Sequence, residues 1–202
     1  WRQNVSQKII INEINWMGSC GGAGTGTTAD TTDEWVELYN NTASAIDFSV
    51  TPFSFYSNGT LQATINSGVI ASDGYFVLAR KASGSSALTA STGADFWTSG
   101  ISLNNSAVQW ILYEGATSAG DASDIAEDGI GTPPGANGNC SAAGNEKKSM
   151  SRNNPGGAVP KTFGDGTQNA NWHSATTVKG GRYQQTSPDF DKNWGTPGIV
   201  ND

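Results

Sequence analysis

Glu13, Glu34 and Glu37 are the best carboxylate group in the chain. A glycosidase would need two such groups facing each other across a cleft. Glu34 and Glu37 stand three apart in an extended run, EWVELY, so their side chains point to opposite faces. That spacing suits a structural role instead, because a carboxylate in a β-sandwich can accept backbone N–H bonds from a neighbouring loop. His173 is the single histidine. Counting leaves a Ser-His-Asp triad open, but the chain has no Gly-x-Ser-x-Gly elbow. Zinc would have to draw on Cys20, Cys140, His173 and a carboxylate, with no two ligands at short spacing. An ordinary surface or tail histidine is the expectation. Gly22-Ala23-Gly24-Thr25-Gly26 follows a strand as a phosphate-binding loop does, yet a strand rather than a helix comes next, and no Gly-Lys-Ser/Thr appears. A flexible loop is expected there.

Two acidic stretches could hold calcium, which takes six to eight oxygens: Asp121, Asp124, Glu127 and Asp128, and separately Asp30, Asp33 and Glu34. Neither has an EF-hand pattern, and solvated acid is the plainer reading. No other cofactor is expected. Trp97, Trp110, Trp172 and Trp194 are candidates for a sugar-stacking platform, although most tryptophans of such a chain belong to its core. Cys20 and Cys140 each lie in a Gly/Ser/Asn-rich loop, read here as exposed, and fit one disulfide made in an oxidising compartment; the alternative is two unpaired thiols.

The elements that must carry these residues read as short strands with a period of two. KIIINEINW (residues 8–16) places Ile10, Asn12, Ile14 and Trp16 on one face and Ile9, Ile11 and Glu13 on the other. EWVELY sets Val36 and Leu38 against Trp35, Glu37 and Tyr39. Further runs are 45–48, 52–56, 61–65, 75–80, 101–103 and 108–113, each bounded by Gly, Pro, Asn, Asp or Ser. Ile10, Ile14, Val36, Leu38, Phe76 and Leu78 are expected in one core. Residues 18–32 form a Gly/Thr loop, and 115–145 read as a long, nearly structureless stretch. Beyond Ser149 the chain is polar but keeps Phe163, Trp172, Tyr183, Phe190 and Trp194, which suggests a tail wrapped on the core. Many short strands and turns indicate an all-β sandwich or barrel.

Composition agrees. Gly, Ser, Thr and Asn make up 86 of the 202 residues, which disfavours a helical bundle. Seven Trp, seven Phe and five Tyr can fill a core, which disfavours disorder. A net charge of −7 without a basic cluster argues against nucleic acid as a partner. No apolar run has the length of a membrane span. The start at Trp1, without an initiator Met, suggests a processed or trimmed chain.

The run IIINEINWMGS (9–19) followed by DEWVELYN (33–40) resembles the lamin tail domain family, in its bacterial secreted branch. The later pieces AIDF (45–48), YFVLAR (75–80), LNNS (103–106), SMSR (149–152), NW (171–172) and GTPG (195–198) are similar to that family's motifs and occur in its order, over about residues 8–201. The resemblance implies an immunoglobulin-like β-sandwich, with long irregular loops and a wrapped C-terminal tail, and a structural or interaction role with no shared catalytic residues. It gives residues 1–7 as an N-terminal extension and 8–202 as a single domain.

The expected function is therefore a non-catalytic, secreted or cell-surface module. Its partners would be copies of itself or other surface proteins. The head, residues 1–7, could reach a neighbouring copy and pair with a sheet edge, with Trp1 and Val5 as anchors. The runner-up is an adhesion or carbohydrate-binding module that takes a polysaccharide.

Overall fold

The computed structural model describes residues 6–21, 29–82, 86–88, 93–104, 109–127, 135–141, 145–178, 180–183 and 192–201. In chain order the strands are β1 (Ile9–Asn15), β2 (Ser19–Cys20), β3 (Ala29–Asp30), β4 (Trp35–Asn40), β5 (Ile46–Asp47) and β6 (Phe53–Ser57). Next come β7 (Thr60–Ile65), β8 (Val69–Ile70), β9 (Tyr75–Ala79), β10 (Phe96–Trp97), β11 (Gln109–Glu114) and β12 (Ala122–Glu127). The last are β13 (Ala136–Asn137), β14 (Lys147–Lys148), β15 (Met150–Arg152), β16 (Trp172–Ser174) and β17 (Asn193–Trp194). One 3₁₀ turn, Asn169–Asn171, precedes β16. Among the described residues no helix is long and apolar enough to cross a membrane.

A six-stranded sheet, β10-β9-β4-β1-β15-β16, packs on a four-stranded sheet, β12-β11-β6-β7. Between them lies the main core, with Ile9, Ile11, Ile14, Val36, Leu38, Phe76 and Leu78 from the larger sheet and Phe53, Phe55, Ile65, Trp110 and Leu112 from the smaller. The protein is an all-β sandwich. Every residue of β1 and β4 is buried, so the far face of the larger sheet is covered as well. The wrapped tail supplies that cover. Phe163 packs with Ile10 and Tyr39, and Tyr183 with Trp35, Val77 and Leu88.

The strict alternation expected for β1 breaks at Asn12. Ile11 stands opposite Leu38 and Glu13 opposite Glu37, so two steps on β1 match one on β4. This β-bulge inserts Asn12 and reverses the phase. Ile9, Ile11, Ile14 and Trp16 therefore face the main core, while Ile10 joins Tyr39 and Phe163 on the far face. Ile10 is thus the one member of the expected core set that lies elsewhere.

Two further readings change. Within the stretch read as structureless, residues 122–127 form β12, a full strand paired to β11. Residues 101–103 form no strand, although Ile101 and Leu103 are buried in the main core. The described end of the N-terminal head folds back on its own chain: Ser6 N–H donates to Ala122 O (3.0 Å) and Gln7 N–H to Ser123 O (2.8 Å). Trp1 and Val5 lie outside the described residues.

Candidate functional site

Glu13, Asp33, Glu34, Glu37 and Asp124, among the acidic residues singled out by sequence, are buried in the protein's own framework. Val77, Glu37, Glu13, Ser151 and His173 stand in one cross-strand row over β9, β4, β1, β15 and β16. Directly opposed residues share a face. Asn12 reverses the phase of β1, which puts Glu13 on the same face as Glu37, under the tail. Both glutamates are fully buried. Glu13 accepts N–H and O–H bonds from Thr196 at 3.0–3.1 Å and a short bond from the Ser149 hydroxyl. Glu37 accepts from Asn12 Nδ2 at 2.6 Å and from the Gly198 N–H. Burial, then the charge of Glu13, pushes the Glu37 carboxyl well above its ordinary range.

Glu34 and Glu37 do point to opposite faces, and both accept loop N–H groups. Glu34 takes the Leu103 N–H at 3.1 Å and an ion pair from Arg80 at 2.7 Å. Burial outweighs Arg80 and pushes Glu34 up to about 7. Asp33 accepts from Ser19 Oγ and the Ala87 N–H, and burial raises it too. Asp30 pairs with Lys81. Asp33, Glu34 and Glu37 are each turned onto separate donors.

Among the calcium candidates, Asp124 is buried at the rim of the core. It accepts the Ile11 N–H at 2.9 Å and meets the fully buried Arg152 at 3.3 Å. Arg152 lies 4.7 Å over the Trp172 ring and donates to Gly164 O. Asp121 is exposed; the Glu127 side chain and Asp128 lie outside the described residues. No group of three metal-ligating side chains occurs among the described residues.

His173 shares a 2.6 Å hydrogen bond with Asn153 Oδ1. The hydroxyl of Ser151 across the strand pair is buried and not hydrogen bonded among the described residues, so no Ser–His dyad is formed there. Trp110 and Trp172 are core residues, and Lys148 covers Trp194 at 3.8 Å. Trp97 alone of the four tryptophans is exposed. Sequence reading missed a different apolar row. Ile125, Ile111, Tyr56 and Leu61 lie side by side on the outer face of the smaller sheet. The Tyr56 and Tyr113 rings meet there edge-on, centroids 5.4 Å apart. Period-two reading of β6 and β11 could have found it, because the core residues of these strands are the alternate ones.

Cys20 and Cys140 form a disulfide, Cα atoms 5.5 Å apart. Contrary to the expectation of exposed loops, both are fully buried. The tail lies over them. Asn193 accepts the Cys20 N–H and donates to the Cys20 carbonyl, at 2.7 and 2.9 Å, and Lys192 Nζ donates to Cys140 O at 2.6 Å. Beside them, buried Lys147 donates to Met17 O and Asn137 Oδ1, and burial lowers its pKa.

Two adjoining hollows sit at the end of the sandwich near Ser6 and share Lys8 and Thr42, about 360 and 420 Å³ in volume. Ala45, Ile46, Val50 and Phe53 give the larger one its apolar wall.

No family model, characterised protein or solved structure matches the chain.

Proposed function

We propose that the chain is a non-catalytic extracellular structural module that self-assembles through its N-terminal segment, as a subunit of a surface fibre. One observation carries the reading: the carboxylates best placed for chemistry are consumed in holding the protein's own tail and loops. Glu13 and Glu37 hold Thr196 and Gly198, and Glu34 holds Leu103. A catalytic carboxylate must instead reach a substrate proton. The buried disulfide supports an oxidising compartment. The resemblance to the lamin tail domain supports an immunoglobulin-like interaction module over an enzyme. Light scattering over a concentration series and electron microscopy, on the full chain and on a chain lacking residues 1–5, test the assembly. Concentration-dependent polymers that vanish on truncation are the expected result. Two equally monomeric proteins would defeat it.

A second reading, polysaccharide binding, rests on the exposed Trp97 and on Tyr56 and Leu61 on the smaller sheet. Retention on polysaccharide that falls on Trp97→Ala or Tyr56→Ala would favour it.

A further inference from the structure

The chain holds five Asn-x-Ser/Thr sequons, at Asn4, Asn40, Asn58, Asn104 and Asn139. N-linked glycans are added at the Asn of this motif, on surface loops of exported proteins. The fold treats the five unequally. Asn40 is fully buried, and its Nδ2 donates to Ser44 O, Ile70 O and Ala71 O at 2.8–3.2 Å, which closes it to a transferase. Asn139 is exposed, but its Oδ1 takes both the N–H and the hydroxyl of Ser141, the last residue of its own sequon. Asn4, and Ser106 of the Asn104 sequon, lie outside the described residues.

Asn58 is open on each count. Asn58 and Gly59 form the two-residue turn between β6 and β7, with φ of 47° and 76°. Positive φ at both positions is the type I′ hairpin, which an Asn-Gly pair enters readily. Asn58, Gly59 and Thr60 are all exposed, and even a Cβ on Gly59 would meet nothing within 4 Å. Asn58 Oδ1 accepts the Gln109 N–H at 2.9 Å. That bond fixes the amide and leaves Nδ2 and the Thr60 hydroxyl without a hydrogen bond among the described residues.

An aromatic ring stands beside the turn. Tyr56, two residues before Asn58, belongs to the apolar row on the outer face of the smaller sheet and pairs with Leu61, which is 45 % exposed. Tyr113 braces the Tyr56 ring edge-on, and the Ser118 N–H donates to its hydroxyl at 3.2 Å. A braced, half-buried aromatic face suits the apolar C–H side of a sugar ring. A sugar tethered at Asn58 meets this patch at a high effective concentration, which a free polysaccharide lacks.

We propose that Asn58 carries an N-linked glycan whose first sugar lies on Tyr56 and Leu61. The donor is an oligosaccharide joined through C1 to a polyprenyl pyrophosphate. The Nδ2–C1 bond forms, the C1–O bond to phosphate breaks, one Nδ2 proton is lost and the lipid pyrophosphate leaves. A transferase of the exporting cell supplies the catalysis. Asn58 keeps Oδ1, so its bond to Gln109 survives the modification. The inference rests on the extracellular part of the reading above and is independent of self-assembly.

The test fractionates native material and fragments its glycopeptides by mass spectrometry. The expected result is an extracellular chain with a glycan on Asn58 and none on Asn40. An extracellular chain bare at Asn58 overturns the glycan and leaves the extracellular reading standing; a bare chain inside the cell removes both. In the native host, Thr60→Ala, at an exposed position, loses the glycan and Thr60→Ser keeps it. A sugar retained by Thr60→Ala is not linked through this sequon and overturns the site. Melting temperature reads the stacking: the parent melts above Thr60→Ala, and the difference disappears when both carry Leu61→Ser. An equal difference in the two backgrounds overturns the placement of the sugar on Tyr56 and Leu61.

Discussion

Glu13 and Glu37 face each other directly across β1 and β4, fully buried, each holding a different part of the same C-terminal strap. Two like charges so close disfavour double ionisation, and burial acts in the same direction. The Glu37 carboxyl therefore keeps its proton in the folded state to a pH at which the unfolded chain has lost it. Protons bound in excess by the folded state make stability fall as pH rises. The contribution is complete below the ordinary glutamate pKa and is lost as pH climbs through the raised value. Asp33, Glu34 and Asp124 are shifted in the same sense.

The first expected outcome is a higher melting temperature at pH 5 than at pH 8. Glu37→Gln keeps one acceptor and loses the pH response of the site. It costs about 1–3 kcal/mol at pH 5 through one lost bond, and less at pH 8. Thermal melts at the two pH values check both. A variant whose pH slope equals that of the parent would show that the pair does not govern this range.

Asn12 sits in the bulge and donates to Glu37 at 2.6 Å. Asn12→Ala removes that donor and is expected to cost about 1–3 kcal/mol. Deleting Asn12 removes only the unpaired residue, leaves Ile9, Ile11 and Ile14 on the core side in the native register, and is expected to keep the fold while losing the same donor. Urea unfolding and circular dichroism check both variants.

Asp124 compensates a buried guanidinium, 3.3 Å from Arg152 Nη1. Asp124→Asn strands that charge and is expected to cost about 3–5 kcal/mol. Replacing both residues with apolar ones of similar size should recover much of the loss, as a double-mutant cycle would show.

The Cys20–Cys140 bond closes a sequence separation of 120 residues. Its loss, by reduction or by Cys20→Ser with Cys140→Ser, is expected to cost at most about 4.7 kcal/mol in the chain-entropy model. Asn193 and Lys192 rest on the bridge, so limited proteolysis should cut first in the C-terminal strap of the reduced protein.

Leu38 lies in the main core and Ile10 in the small cluster under Phe163. Leu38→Ala is expected to cost about 2–5 kcal/mol, with Ile10→Ala towards the lower end because fewer neighbours surround it. Denaturant midpoints at constant slope check the order.

The sequence alone determined the β class, most strand positions, the inward set of β4, the wrapped aromatic tail and the option of one disulfide. Each follows from local information: period-two alternation, turn residues, aromatic spacing and cysteine count. The opposite directions of Glu34 and Glu37 were likewise legible, because a three-residue step on a strand fixes them, and so was a loop N–H for one of the two; that both accept one was not. Only the tertiary structure decided the rest. The bulge at Asn12 exists because β1 pairs with β4 in a particular register, and nothing within IIINEIN marks the extra residue. β12 hid behind its acids, since Asp124 turns inward only where Arg152 and the Ile11 N–H meet it, residues far away in sequence. The cysteines are buried because a strap about fifty residues beyond Cys140 lies over them. Long-range pairing sets which donors a carboxylate finds and what covers a loop, and no local pattern contains that information.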